Sequence, residues 1–206
     1  MRIASQGYRY VATLLGLALL ALFHPATRVA SAVFGGLAVF VAFFFRDPDR
    51  TPPADPGLIV SPADGRVVRI GPATNGDSHS VQVSIFLSLF DVHINRSPLA
   101  GVVTGVKYTP GRFLPAFRSE ASTDNEQNEI ELSDGASKII VRQIAGVVAR
   151  RIVFTKKLND RLERGERFGL IQFGSRVDVL LPPEATLRVA VGDKVRGGES
   201  VLAERS

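Results

Sequence analysis

The sequence predicts a mainly β domain, a barrel or sandwich of short strands, preceded by an apolar α-helical hairpin. Three observations predict it. Two apolar runs, residues 8–23 and 29–45, open the chain and are parted only by His24-Pro25-Ala26-Thr27-Arg28. A charged, proline-rich stretch, residues 47–57, follows them. Beyond it lie short β-branched runs punctuated by Gly, Pro, Asn and Asp, with almost no helical periodicity, and that pattern specifies an all-β architecture.

Each apolar run is somewhat shorter than the ~20 residues of a spanning helix. Two helices joined by a short Pro-containing turn still satisfy their own backbone groups in lipid, and bilayer thinning or a shallow insertion absorbs the mismatch. Arg2 and Arg9 stand before the first run and Arg46 and Arg50 after the second, which puts both ends on the cytoplasmic side. A cleaved signal peptide fits worse, because a second apolar run follows at once. A buried hairpin in a soluble domain is the competing interpretation. The expected organisation is therefore a membrane-anchoring hairpin at 1–46, a linker at 47–57 and a β-rich domain at 58–206.

Within that domain, strands are expected at 58–61, 65–70, 80–87, 101–108, 128–133, 138–144, 168–173, 176–181, 186–190 and 200–203. In 176–181, Val177, Val179 and Leu181 alternate with Arg176 and Asp178 at strand period. Residues 149–161 are the one stretch with helical content, a weak helix on Ile152, Val153 and Leu158 with a basic face.

Composition narrows the chemistry. The 206 residues include no cysteine, which removes disulfides, thiolate metal sites and cysteine nucleophiles. The three histidines, His24, His79 and His93, are far apart, so no metal site is expected. A net charge of +5 favours anionic surfaces, and with no nucleic-acid-binding signature present the expected surface is lipid.

Several positions combine reactive types with turn chemistry. Gly174 precedes Ser175 at the start of a strand; a glycine lets another group approach its carbonyl, and the serine beside it could attack that carbonyl. The same dipeptide also suits an ordinary bulge. Asp64 sits in the turn Pro62-Ala63-Asp64-Gly65, either bonding its own backbone or orienting a histidine. His93 lies where Asp91, Asn95 and Arg96 crowd the end of an apolar run. Arg112, Arg118, Asn125 and Glu126 belong to a long polar loop of the kind that often binds ligands. Arg150, Arg151, Lys156 and Lys157 could meet lipid phosphates or form a solvated face. Asp64, His93 and Ser175 are the residue types of a serine-activating triad, but Arg176 and Val177 replace the Gly-x-Ser-x-Gly elbow.

Residues 61–71 and 187–202 resemble each other and the halves of a lipoyl/biotinyl-type hammerhead, without a lysine where a carrier needs one. The motifs in order then resemble the phosphatidylserine decarboxylase family, in its short bacterial and archaeal branch. They are Phe-Phe-Arg-Asp-Pro at 44–48, Ser-Pro-Ala-Asp-Gly at 61–65 and Asp-Val-His-Ile-Asn-Arg-Ser-Pro at 91–98. Pro-Gly-Arg-Phe at 110–113, Asn-Glu-Gln-Asn at 125–128, Ala-Gly-Val-Val-Ala-Arg-Arg-Ile at 145–152 and Phe-Gly-Ser-Arg-Val-Asp at 173–178 complete the set.

The resemblance implies that Ser175 Oγ attacks the Gly174 carbonyl and that the chain cuts itself into a β chain, 1–174, and an α chain, 175–206. Ser175 would become a covalent pyruvoyl group, the only cofactor, which forms a Schiff base with the amine of phosphatidylserine. Carbon dioxide then leaves and phosphatidylethanolamine is made. With that chemistry His93 and Asp64 are expected to be catalytic, and Arg112, Asn125, Glu126 and Arg96 are expected to contact the substrate. The expected partners are the lipid substrate, membrane lipids and the chain's own two fragments, at the cytoplasmic face of the cell membrane. One departure stands out. Longer relatives carry a second histidine where this chain has Arg96, which leaves the cleavage base open between His93 and a group acting with Asp64. A membrane-bound serine hydrolase and a non-enzymatic hammerhead-type adaptor are the alternatives.

Overall fold

The computed structural model describes residues 2–73, 80–116, 118, 120–147, 151–172 and 174–205. The chain divides into two compact units, 1–49 and 50–206. In the first, α1 (Ser5–Leu22) and α2 (Arg28–Phe44) form an antiparallel hairpin around a single turn of 3-10 helix, Pro25–Thr27. His24 caps that turn through Nδ1, 3.3 Å from the Ala26 N–H. Small residues set the approach of the helices. Ala18 and Ala38 are buried, and Ser31 Oγ donates to the Ala18 carbonyl at 2.8 Å. A Cβ on Gly7 would lie 2.7 Å from Phe45 Cβ, so that glycine is where Phe45 packs. Strands β1 (Arg2–Ile3) and β2 (Arg46–Asp47) pair and tie the two ends of the hairpin together. The 20 residues of Pro25–Phe44, of mean hydropathy 1.8, are long and apolar enough to cross a membrane.

The second unit is built on strands, as expected. They are β3 (Leu58–Val60), β4 (Gly65–Pro72), β5 (Val81–Leu87), β6 (Ile94–Arg96), β7 (Gly101–Thr109), β8 (Gln127–Ser133) and β9 (Lys138–Ile144). After these come β10 (Arg151–Phe154), β11 (Arg161–Leu162), β12 (Arg167–Gln172), β13 (Ser175–Leu181), β14 (Thr186–Leu187), β15 (Lys194–Val195) and β16 (Val201–Glu204). A single-turn helix, α3 (Ala121–Asp124), interrupts the loop between β7 and β8. Eight strands form a curled half-barrel in the order β11-β7-β8-β9-β13-β5-β4-β15, with three-stranded sheets β10-β12-β6 and β14-β16-β3 beside it. Every pairing between these named strands is antiparallel. Val67, Ile85, Val103, Ile130, Val141, Phe168, Ile171, Val177 and Val179 fill one continuous core. The two hammerhead-like segments meet as partners: β15 pairs with β4, and the Ser61 N–H donates to the Ser200 carbonyl at 2.7 Å.

One sequence expectation is corrected. Residues 151–154 of the expected helix form β10, paired along its length with β12; Ile152 and Phe154 pack on the core, and tertiary burial of β-branched residues overrides weak helical spacing. The first two residues of that stretch, with Arg150 among them, lie outside the described residues, as do His79 and Phe173. The strand expected at 176–181 is β13, and it is buried on both faces, with Arg176 and Asp178 in a second interior.

Candidate active site

Ser175 opens β13, the central strand of the half-barrel, paired to Leu87 of β5. On its other flank Arg176 pairs with Ile144, the last residue of β9. Two chain segments therefore leave the sheet beside Ser175. One follows Leu87 through a turn to His93; the other follows Ile144 through Ala145, Gly146 and Val147. The turn at 88–91 is held by Asp91, whose carboxylate accepts from the Ser88 N–H at 2.9 Å and from Ser88 Oγ at 2.7 Å. His93 follows that turn, and its carbonyl accepts from the Ile171 N–H at 3.4 Å, on the strand that leads to Ser175 four residues later.

The His93 ring is buried, with Nδ1 2.9 Å from the Asp91 carbonyl. A carbonyl only accepts, so Nδ1 carries the proton and, in the neutral ring, Nε2 holds the basic lone pair. The oxygen that orients His93 thus comes from the Asp91 backbone. Asp64 stands at the same sheet end, one strand beyond β5, since Arg66 pairs with Phe86. Two strand spacings, about 10 Å, separate that position from Ser175 across the sheet. The Asp64 carboxylate receives Arg50 Nη2 at 2.9 Å and the Gly197 N–H at 2.7 Å, and Arg50 bridges on to Glu199 at 2.7 Å. These contacts close the linker onto the hammerhead turn.

Immediately before Ser175, Gly174 has φ 63°, the left-handed region that glycine adopts without strain. Its carbonyl is packed against Gly146: a Cβ there would lie 2.3 Å from the Gly174 oxygen. Ser175 is fully buried, and its Oγ has no hydrogen-bond partner among the described residues. A buried hydroxyl without a partner costs about 1–3 kcal/mol, which structural serines avoid.

The polar loop divides by role. Asn125 is buried and pins two segments: its amide donates to the Leu114 and Ala145 carbonyls at 2.8 and 2.7 Å and accepts from the Leu114 N–H at 2.9 Å. The Glu126 carbonyl receives the Ala145 N–H at 2.9 Å. Partial desolvation, and behind it the Glu126 carboxylate, hold the Tyr108 phenol above its ordinary range. Arg112 is exposed, 3.9 Å from Asp124. Arg96 is buried, with Nη1 on the Gly165 carbonyl at 2.9 Å, so the residue in place of a second histidine ties β6 to the turn before β12. Lys156 pairs with Glu166 at 2.5 Å, while Arg151 and Lys157 face solvent.

The family model for phosphatidylserine decarboxylase matches residues 37–203. The chain belongs to the phosphatidylserine decarboxylase family. A protein of Symbiobacterium thermophilum is 48% identical over 205 residues, covering 97% of this chain and 94% of its own. One of Solibacter usitatus is 46% identical over 205 residues, covering 100% and 98%, and one of Geotalea uraniireducens is 45% identical over 203, covering 97% and 95%. All three are named phosphatidylserine decarboxylase proenzyme.

In this member of the phosphatidylserine decarboxylase family, two buried polar groups escaped the reading of the sequence. Arg176 donates to the Ala116 and Arg118 carbonyls at 3.1 and 2.9 Å and pairs with Asp178 at 2.9 Å, while Gln82 and Ser122 also bond Asp178. That group holds the 110–124 loop over the sheet. Asn128, Gln143 and Asn95 form a chain of amide hydrogen bonds, 3.1 and 2.8 Å, that joins the half-barrel to β6 beneath His93. The one signal available was polar residues at strand period inside otherwise apolar runs. Gly146 carried no signal of its own.

Proposed function

We propose that this enzyme decarboxylates phosphatidylserine to phosphatidylethanolamine and carbon dioxide with a pyruvoyl group made from Ser175. The observation that carries the proposal is the buried, unpartnered Ser175 Oγ beside a left-handed Gly174 whose carbonyl is held by Gly146. In the cleavage, Oγ bonds to the Gly174 carbonyl carbon as its proton passes to His93 Nε2 and the Gly174–Ser175 amide bond breaks, leaving an ester. Loss of the Ser175 Cα proton then expels the Gly174 carboxylate, and water releases ammonia. The new group retains the three carbons of Ser175 and fits the volume the serine fills. Once formed it supplies a covalent carbonyl that withdraws electrons from the carbon losing carbon dioxide. His93 holds a proton at Nε2 for return to that carbon, and Asn125 keeps the 114 and 145 segments closed over the site.

On this reading the products are a β chain, 1–174, and an α chain, 175–206. The α chain stays bound because β13 pairs on both edges and buries Val177, Val179, Leu180 and Leu181. At about 1.5–3 kcal/mol per buried side chain, these alone hold it firmly. The hairpin at 1–46 anchors the enzyme to the membrane with the β-rich domain, 58–206, on the cytoplasmic side and 47–57 as linker. Asp64 acts through the turn it stabilises, Arg112 and Glu126 are the groups of the polar loop offered to the headgroup, and Arg96 acts by holding β6 to the turn before β12. Intact-mass measurement tests the proposal. Two fragments parted before residue 175, the smaller blocked at its N-terminus, are expected; one full-length chain, unaltered in activity by Ser175→Ala, overturns it.

A further inference from the structure

The sheet end that carries Ser175 is ringed by apolar side chains in water. Leu89 and Phe90, 37% and 68% exposed, occupy the turn that leaves Leu87, the strand partner of Ser175. Val147, 51% exposed, follows Gly146 on the opposite flank. Tyr108, 58% exposed, lies at the same end, because Tyr108 pairs with Asn128 and Asn128 with Gln143, next to Ile144. Exposed cations stand among them: Arg118 in the covering loop, and Arg151, which pairs with Gln172 three residues before Ser175. Asp91, Glu120, Asp124 and Glu126 share the rim, so attraction to anions is local. The shared character is apolar tips with a tyrosine, the composition that settles at a membrane interface. The opposite end of the sheet, the Ser133–Lys138 hairpin, presents Asp134, Gly135 and Ala136 instead.

We infer that this rim docks on the bilayer, with Leu89, Phe90 and Val147 entering the interfacial layer around the mouth of the site. The inference rests on the proposed function. A diacyl lipid held by its tails presents its headgroup at the interface, and Ser175 is buried, so the rim must meet the surface for the two to touch. The chain also carries an apolar segment, Pro25–Phe44, long enough to fix it to that same bilayer. Arg118 and Arg151 then lie at phosphate depth, but the four carboxylates of the rim offset their attraction to an anionic surface, so insertion of the apolar tips carries the docking.

The protein contains no tryptophan, so a single introduced one reports its own surroundings. Full-length Phe90→Trp, Val147→Trp and Ala136→Trp, each reconstituted in phosphatidylcholine–phosphatidylglycerol vesicles, would be read by emission wavelength and by quenching with lipids brominated at shallow positions. Blue-shifted emission and bromolipid quenching at 90 and 147, with solvent-like emission and acrylamide quenching at 136, is the expected result. Solvent-like emission at 90 and 147 overturns docking. So does a blue shift without bromolipid quenching, which signals a second copy on the rim, and so does equal quenching at all three positions. Intact mass of the same samples separates the readings: cut chains with solvent-like emission in Phe90→Trp refute the docking alone, and uncut chains refute the proposed function.

Discussion

The contact between Gly146 and Gly174 yields an unusual ranking of two glycine variants. A Cβ on Gly146 would stand 2.3 Å from the Gly174 oxygen, 3.3 Å from its carbonyl carbon and 3.3 Å from Ala116 Cβ. Relief to ordinary contact requires a displacement of roughly 1 Å. Gly146 cannot take up that shift, because the preceding residue is fixed by Asn125 and by the Glu126 carbonyl. The scissile carbonyl must move instead, and a 1 Å error in a reacting group costs about a hundredfold in rate, roughly 2.7 kcal/mol of barrier. Gly174→Ala alters the reacting residue itself, yet its Cβ meets nothing within 4 Å. It incurs only the left-handed backbone penalty, about 1–2 kcal/mol. Self-cleavage should therefore slow about a hundredfold in Gly146→Ala and no more than about thirtyfold in Gly174→Ala. Cell-free synthesis followed by timed intact-mass sampling measures both rates, and thermal melting confirms that each variant folds. Wild-type cleavage in Gly146→Ala, or the reverse ranking, would refute the reasoning.

Other outcomes follow from single groups. His93→Ala should slow self-cleavage, followed by intact mass, and should lower decarboxylation by at least a hundredfold per cut chain, measured as release of labelled carbon dioxide by the fraction that does cut. Wild-type turnover removes His93 from the site. Arg176→Met leaves Asp178 buried without its cation and should cost about 3–5 kcal/mol in chemical denaturation, against under 1 kcal/mol for the exposed Arg188→Met. Asp134 lies below its ordinary pKa: burial opposes the shift, but the Ser137 and Ala136 N–H groups and Arg205 outweigh it. Its contribution is complete above the unfolded value of 3.8 and fades as pH falls through the lower folded value. The stability gap between wild type and Asp134→Asn should hold at pH 7 and close in acid melts below that value; a gap independent of pH contradicts the assignment.

Much of this fold was legible because it is written in local signals. The hairpin follows from two apolar runs and one proline turn, and most strands of the half-barrel from β-branched runs between turn residues. What escaped depended on partners distant in sequence. Ile152 and Val153 occur at spacings a weak helix also allows, and only β12 makes them a strand. Arg176 and Asp178 alternate with valines as if they faced water, yet the 110–124 loop covers them, an arrangement no local pattern encodes. The same limit applies to the site. Gly174-Ser175 was conspicuous as a sequence, and so was His93 among polar neighbours, whereas Gly146 became meaningful only when folding set it against a carbonyl 28 positions away in the numbering. Asp64 suggested a relay to His93 by its type; the structure gives its carboxylate to Arg50 and Gly197.

The location of Gly174-Ser175 also explains how a chain could cut itself without coming apart. The peptide bond lies at the N-terminal edge of β13, where Ser175 is the first residue of the ladder with β5, so breaking it leaves the pairings from Arg176 to Leu181 in place. The left-handed Gly174, the held carbonyl and the unpartnered Oγ all depend on pieces brought in by β5, β9 and the 110–124 loop. An unfolded chain has none of them. Cleavage should therefore report complete assembly of the half-barrel, and variants that loosen it at a distance, such as Arg176→Met, should lose cutting in proportion to the folded fraction rather than through any direct part in the chemistry. A variant that melts early but cuts at the wild-type rate when cold places the group in stability alone. One that folds fully and still fails to cut places it in the geometry of the Gly174 carbonyl.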